Sequence, residues 1–173
     1  MKRRFCLPGL SLALTIIAGS LYPTPARSAE PQQVKIPLGG GHELPGTFFL
    51  PSASTPAAAV LVLHTRGGIR QADVNYAAAL AEVGFVSLAV DYYPNPRYDA
   101  DNLHHPGYVE DLLKAVGWLQ SRPEVNGQPV GVVGFSLGSK AVTLSARHPA
   151  IKAVVSYYGV YNLRILPRAM GRK

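Results

Sequence analysis

Residues 134–138 read Gly-Phe-Ser-Leu-Gly, so Ser136 has a glycine two positions before it and another two positions after it. This Gly-x-Ser-x-Gly pattern is typical of a nucleophile elbow, a sharp turn between a strand and a helix that exposes the serine hydroxyl. An apolar run at 129–133 precedes the pattern, and a helix-like stretch at 139–147 follows it. The glycines let other chain pass close to a turn whose backbone angles are strained. The pattern predicts acyl-transfer chemistry with Ser136 as the nucleophile.

Such a reaction also needs N–H groups aimed at the oxygen that becomes negative, an arrangement called the oxyanion hole. The backbone N–H of Leu137 lies at the start of the predicted helix, where amides have no intrahelical partner, and we expect it to be one donor. The second donor is expected from the loop at 64–68, which reads His-Thr-Arg-Gly-Gly and follows an apolar strand. The backbone amide of Arg66 is the predicted second donor, with Thr65 and Gly67 as alternatives.

Four further charged or ionisable side chains follow the predicted strands. His64 is expected to hold the loop at 64–68, which we call the oxyanion loop, through a structural hydrogen bond. Asp91 is expected to order the loop that follows its own strand. The guanidinium groups of Arg66 and Arg97 are candidates for binding a substrate carboxylate, which a guanidinium grips with two parallel hydrogen bonds.

Three tyrosines and two histidines lie in the loop that follows residue 91. Tyr92, Tyr93 and Tyr98 are candidates for lining a substrate entrance. His104 and His105 are adjacent and lack a second cluster of ligands, so we expect them to face solvent rather than to bind a metal. The sequence thus predicts neither a metal nor a cofactor.

Hydrophobic patterning predicts an α/β fold. Apolar or alternating runs predict strands, and apolar residues at helical spacing predict helices. The glycines at 39–41 predict a hairpin between the first two strands, after which strands and helices alternate. Such alternation predicts a mostly parallel sheet with helices on both faces, and His64, Asp91 and Ser136 then lie at the same edge of it. The predicted strands are 34–38, 42–50, 58–63, 85–90, 129–135 and 151–158, and the predicted helices are 72–83, 108–119 and 136–147.

Residues 1–28 have the organisation of a signal peptide, with Lys-Arg-Arg at 2–4, an apolar stretch at 5–21 and small residues before Ser28. Removal is favoured over a membrane anchor because the apolar stretch is short for a span and is interrupted by proline and glycine. We therefore expect export to the periplasm or the medium, by the general or the twin-arginine route, and no stable membrane span after cleavage. The single cysteine, Cys6, lies in this segment, so the mature chain is expected to have no thiol.

The net charge of +7 comes from the two ends of the chain. Residues 1–28 and 164–173 each hold four basic and no acidic residues, whereas residues 29–163 hold nine basic and ten acidic residues. The predicted domain therefore has no excess of positive charge, and we do not expect it to bind nucleic acid.

Five short patterns occur in order along the chain, at 42–46, 63–68, 84–93, 134–138 and 156–159. In this order and spacing, the run from 34 to 161 resembles the dienelactone hydrolase family of the α/β-hydrolase fold. The resemblance implies hydrolysis of small-molecule esters or lactones without a cofactor. Because family members often have cysteine at the elbow, Ser136 indicates a more general esterase.

The resemblance also implies an acid and a histidine after the nucleophile, and no Asp, Glu or His follows His148. We therefore expect a partial hydrolase domain over 29–163, a basic tail over 164–173 and little or no hydrolase activity, because a serine without its base is a poor nucleophile. One alternative is a noncatalytic, ligand-binding remnant of the same fold. Another is a chain that aggregates through an open sheet edge.

Overall fold

A mixed sheet with helices on both faces organises the part of the chain that the structure describes, residues 30–52, 55–98, 105–139 and 148–159 of a computed structural model. The predicted signal peptide at 1–28, the predicted tail at 164–173 and residues 140–147 of the predicted elbow helix lie outside the described residues. The elements are strands β1 (Gln32–Gly39), β2 (His42–Phe49), β3 (Ala59–Leu63), β4 (Val86–Val90), β5 (Val130–Phe135) and β6 (Ile151–Tyr157), and helices α1 (Gln71–Glu82) and α2 (Pro106–Ser121).

The predicted hairpin is confirmed. Strands β1 and β2 pair antiparallel, and the turn between them uses three glycines whose φ angles are 84°, 62° and 76°. Positive φ is the left-handed region that glycine enters without a Cβ penalty, so the run at 39–41 makes the tight reversal.

The centre of the sheet is parallel. Its spatial order is β1-β2-β4-β3-β5-β6, with β2 antiparallel to β4 and the pairs β4–β3, β3–β5 and β5–β6 all parallel. Every residue of β3 and β4 is buried, as expected for strands covered on both faces. Parallel pairing brings the carboxyl ends of these strands to one edge, where the loops that follow them meet.

A hydrogen bond between a side chain and the backbone marks the start of each helix. In α1, the carboxylate of Asp73 accepts a 2.8 Å hydrogen bond from the backbone N–H of Arg70. In α2, Nδ1 of His105 accepts a 3.0 Å bond from the N–H of Gly107, and Pro106 occupies the first turn, where no intrahelical N–H is needed. Helix α2 therefore begins two residues before the predicted 108–119.

The two helices cover opposite faces of the sheet. Ala77 and Ala81 of α1 pack with the face of the sheet that includes Val62. On the other face, α2 packs with Leu61 and with residues of β1, β4 and β5 through its buried apolar side chains, which are Tyr108, Leu112, Ala115, Val116 and Leu119. The predicted α/β architecture is thus confirmed. Neither α1 nor α2 is long and apolar enough to cross a membrane, and the described residues contain no other helix of that kind.

Candidate active site at the end of strand β5

Ser136 comes directly after β5 and begins a single turn of 3-10 helix, Ser136–Ser139. Its φ is 49°, a left-handed value that costs a residue with a side chain energy and occurs mainly where the surrounding structure enforces it. The two flanking glycines supply that enforcement. A Cβ atom on Gly134 would overlap the carbonyl group of Gly138, and one on Gly138 would lie 2.5 Å from the carbonyl oxygen of Leu63. The turn therefore leaves no room for side chains at either glycine.

The ends of three neighbouring strands surround this turn. Leu63 pairs with Gly134 on one side of β5, and Tyr157 pairs with Phe135 on the other. The rings of Phe135 and Tyr157 stack, with centroids 5.1 Å apart and planes 9° from parallel. As predicted, Ser136 therefore lies at the same edge of the sheet as the residues that follow β3 and β4, His64 and Asp91.

The candidate oxyanion donors differ in how their amides are used. The N–H of Gly67 donates a 3.2 Å hydrogen bond to the hydroxyl of Thr65, so this amide is engaged within its own loop. No such bond to a described residue holds the amide of Arg66, whose residue is exposed. Among the three predicted alternatives this favours Arg66 over Gly67. The pairing of Arg66 with Leu137 in an oxyanion hole remains a prediction.

His64 is fixed at both ring nitrogens. It is 1% exposed, its Nδ1 lies 2.6 Å from the carbonyl oxygen of Thr65, and the backbone N–H of Tyr92 donates to its Nε2 over 3.2 Å. The hydroxyl of Tyr92 in turn donates to the carbonyl oxygen of His64 at 2.9 Å. His64 therefore ties the loop after β3 to the loop after β4, which is the structural role predicted for it.

These partners determine the protonation state of His64. A nitrogen that accepts from an N–H carries no proton, so Nε2 is bare and the proton is on Nδ1, which donates to Thr65. Burial lowers the pKa of His64 and favours this neutral ring, against the opposing effects of the Thr65 bond and the Asp91 charge. Oδ1 of Asp91 lies 3.4 Å from Nε2. Because Nε2 carries no proton, it does not donate a hydrogen bond to this oxygen.

Two expectations for substrate binding are wrong. Tyr92 and Tyr93 are 1% and 5% exposed, and they pack in the core against Tyr108 rather than line an entrance. Arg97 does not present a free guanidinium, because its Nη1 donates to both carboxylate oxygens of Asp111, at 2.9 and 3.0 Å.

The sequence reading missed Asp111. This carboxylate is 2% exposed in the middle of α2, and it also accepts hydrogen bonds from the Tyr98 hydroxyl at 2.8 Å and from Asn95 at 3.3 Å. Burial, together with the bond to Asp111, raises the pKa of Tyr98 to about 12. The cluster pins the loop after β4 to α2. The sequence does carry a signal for it, an acidic residue beside Leu112 on the apolar face of an amphipathic helix.

Of the two histidines expected to face solvent, His104 lies outside the described residues, and His105 caps the start of α2. The ring of His105 stacks on Tyr98 with centroids 4.5 Å apart while its Nδ1 caps α2, and Nδ1 of His148 accepts from the N–H of Ala150 at 3.2 Å. Within the described ranges, no three His, Cys, Asp or Glu side chains gather where a metal ion would bind.

Known proteins resemble most of this chain. The profile of the dienelactone hydrolase family matches residues 44–170. A Bradyrhizobium protein, provisionally assigned as a 2-oxo-3-(5-oxofuran-2-ylidene)propanoate lactonase, is 31% identical over 113 residues, which cover 59% of this chain and 46% of that protein. A Methylorubrum extorquens protein, provisionally assigned as a carboxymethylenebutenolidase, is 26% identical over 167 residues, which cover 87% of this chain and 57% of that protein. The chain thus spans about half the length of these curated relatives.

A solved structure shares the same architecture. The crystal structure of a dienelactone hydrolase from Anabaena variabilis superposes with a TM-score of 0.61 at 26% identity, covering 77% of this chain and 65% of that one. Strands β3 to β6 and the turn at Ser136 lie within the region that the family profile spans, whereas β1 precedes it.

Proposed function

The chain belongs to the dienelactone hydrolase family of α/β-hydrolase-fold proteins, and we propose that it hydrolyses ester or lactone bonds of small molecules through an acyl-enzyme on Ser136. The observation that carries this proposal is the left-handed Ser136, held between two glycines that touch neighbouring backbone. Strain of this kind persists where the surroundings enforce it, and it is characteristic of reactive sites.

The proposed reaction has two stages. The Ser136 oxygen forms a bond to the substrate carbonyl carbon and loses its proton to a base, and the carbonyl oxygen becomes negative. The backbone N–H groups of Leu137 and Arg66 stabilise that oxygen. The alcohol oxygen then leaves with a proton, or the lactone ring opens, and an acyl group remains on Ser136. Water attacks this ester and releases the acid.

The base is the missing element among the described residues. Of the histidines there, His64 donates to Thr65 and accepts from Tyr92, while His105 and His148 cap the following backbone. None of them, nor His42, is hydrogen-bonded to Ser136. We therefore propose that the 173-residue chain acylates slowly and turns over poorly, since an unassisted serine is a weak nucleophile.

The assay is p-nitrophenyl acetate hydrolysis by the purified chain, with Ser136→Ala as the matched variant. The proposal expects weak release of p-nitrophenol that Ser136→Ala abolishes. Release that is equal in the two proteins would overturn it. Ligand-dependent thermal stabilisation without any Ser136-dependent release would indicate a binding module instead.

The proposed substrate carries a carboxylate near its scissile bond, a property suggested by the propanoate in the name of the Bradyrhizobium relative. Arg66 is exposed within the loop at 64–68, and Arg97 is already paired with Asp111. Arg66→Ala removes the guanidinium but keeps the backbone N–H. It should slow reaction with p-nitrophenyl hemisuccinate and leave p-nitrophenyl acetate unchanged, whereas equal effects on both esters would contradict this assignment.

Export is also proposed, because residues 1–28 have the pattern of a signal peptide. Expression of the full chain in a Gram-negative host, followed by fractionation and determination of the N-terminus, tests it. A mature protein beginning near Ser28 in the periplasm or medium is expected, and an intact N-terminus in the cytoplasm would refute it.

A further inference from the structure

The peptide unit between Thr65 and Arg66 carries both a fixed acceptor and a candidate catalytic donor. Its carbonyl oxygen, on Thr65, is held 2.6 Å from Nδ1 of His64. Its N–H, on Arg66, is the predicted second donor of the oxyanion hole. The cis peptide bonds of the described residues are Thr55–Pro56 and Tyr93–Pro94, so this unit is trans. In a planar trans peptide, the N–H points opposite to the C=O.

A hydrogen bond to the carbonyl therefore fixes the direction of the amide. Rotation of the peptide unit that turned the Arg66 N–H away from the elbow would carry the Thr65 oxygen away from His64 and break the bond. It would also leave a buried Nδ1–H without an acceptor, which is unfavourable. The neighbouring amide is fixed differently, because the N–H of Gly67 donates to the Thr65 hydroxyl.

The imidazole itself cannot turn to follow the carbonyl. Tyr92 donates its backbone N–H to Nε2 and its hydroxyl to the His64 carbonyl, and the two rings lie 4.4 Å apart between centroids. His64 is 1% exposed, so water cannot replace either partner. His64 thus fixes the direction of the Thr65–Arg66 peptide relative to Tyr92, at the end of β4.

We propose that His64 is a positioning residue of the active site, whose Nδ1–H orients the Thr65–Arg66 peptide so that the Arg66 N–H faces the oxyanion formed at Ser136. The proposal rests on the function proposed above and adds to it the residue that aims one donor. His64 acts through the Arg66 amide and does not contact substrate.

Two substitutions separate the two nitrogens of His64. In His64→Asn, the side-chain amide occupies the place of Nδ1 and can still donate to Thr65, but nothing accepts from Tyr92. In His64→Gln, the amide reaches the place of Nε2 and can accept from Tyr92, but the donor to Thr65 is lost. Each variant loses one hydrogen bond, so a merely structural role predicts similar losses in both.

The first readout is the rate at which Ser136 reacts with a p-nitrophenyl phosphonate ester, followed by mass spectrometry of the purified full chain. In this single step, the Ser136 oxygen bonds to phosphorus, p-nitrophenolate leaves and solvent takes the hydroxyl proton. Losing an oxyanion donor costs about a hundredfold or more. The proposal expects His64→Asn to react within about threefold of the parent and His64→Gln about a hundredfold more slowly. Equal rates in the two variants would overturn it.

The second readout needs no reactivity. Residual dipolar couplings of the Arg66 N–H report the orientation of that bond in the folded protein. They should agree between the parent and His64→Asn and differ in His64→Gln, and agreement in all three would overturn the proposal. Nitrogen NMR of the unsubstituted protein tests it even if a variant does not fold, because a proton on Nε2 rather than Nδ1 would contradict it.

These readouts also separate the two proposals. Absence of labelling at Ser136 in the unsubstituted protein, with the Arg66 N–H still following the identity of residue 64, would refute the proposed function alone. Labelling at Ser136 that is indifferent to His64 would refute the positioning role alone.

Discussion

Gly138 lies so close to Leu63 that a Cβ atom on Gly138 would lie 2.5 Å from the Leu63 carbonyl oxygen and 3.0 Å from the Leu63 Cβ. The turn after β5 therefore rests directly on the end of β3, the strand that leads into the loop at 64–68. Distances between Ser136 and that loop depend on this contact.

Gly138→Ala should disturb the elbow. Backbone must move to admit the methyl group, which we expect to lower the free energy of unfolding by about 1–3 kcal/mol and to slow phosphonate labelling of Ser136 at least about tenfold. Urea unfolding and mass spectrometry measure the two effects. Gly117→Ala is the matched control, because a Cβ at that position in α2 meets nothing within 4 Å. It should raise stability by up to about 1 kcal/mol. Equal effects of the two substitutions would contradict the elbow contact.

The left-handed backbone at Ser136 should be detectable as strain. Ser136→Gly relieves the Cβ penalty at φ 49°, whereas Ser136→Ala keeps it. We expect the free energy of unfolding of the glycine variant to be about 1 kcal/mol higher than that of the alanine variant. Both variants should lose Ser136 chemistry. An alanine variant as stable as the glycine variant would show that residue 136 is unstrained in solution.

Asp111 should be needed to hold the loop after β4. Asp111→Ala removes the acceptor for Arg97, Tyr98 and Asn95 from a buried site, so we expect unfolding to become easier by about 3 kcal/mol. The control is Glu43→Ala, which breaks an ion pair with Lys35. The side chains of Glu43 and Lys35 are 50% and 73% exposed, respectively. That surface pair should contribute less than about 1 kcal/mol. Urea unfolding measures the loss of stability in each variant. Equal losses in Asp111→Ala and Glu43→Ala would refute the buried role of Asp111.

Stability should fall on acidification because of His64. Its pKa is lowered from the ordinary 6.5 by burial, so the unfolded chain binds more protons than the folded chain between the lowered pKa and 6.5. The contribution is fully present above 6.5 and declines as pH falls through that window. In urea titrations at about pH 7.5 and about pH 5, the stability difference between the unsubstituted protein and His64→Asn should shrink at the lower pH. A difference that grows towards acid would contradict a neutral buried His64.

Local sequence signals predicted the hairpin, the buried central strands and a turn at Ser136. The glycines at 39–41 marked the hairpin, the continuous apolar run ending at Leu63 marked a strand buried on both faces, and the pattern around Ser136 marked the turn. Each of these features depends on neighbours in the sequence, which is why a pattern reveals it.

What the sequence did not reveal depends on tertiary contacts. Tyr92 and Tyr93 read as loop aromatics but are buried by packing on α2, which lies more than ten positions further along. The sequence suggested that Arg97 has a free guanidinium, but in the folded chain this group is paired with Asp111. The tautomer of His64 follows from Tyr92, which is 28 positions away, and no local pattern encodes such a pairing.

The most direct test of the central claim is mass spectrometry of peptides from the purified chain after reaction with the p-nitrophenyl phosphonate ester. We expect one modified site, Ser136, which is labelled slowly in the folded protein. The label should be absent in Ser136→Ala and in the unfolded protein. Labelling spread over several surface serines or tyrosines, with Ser136 no faster than the others, would contradict the claim that this elbow holds the nucleophile.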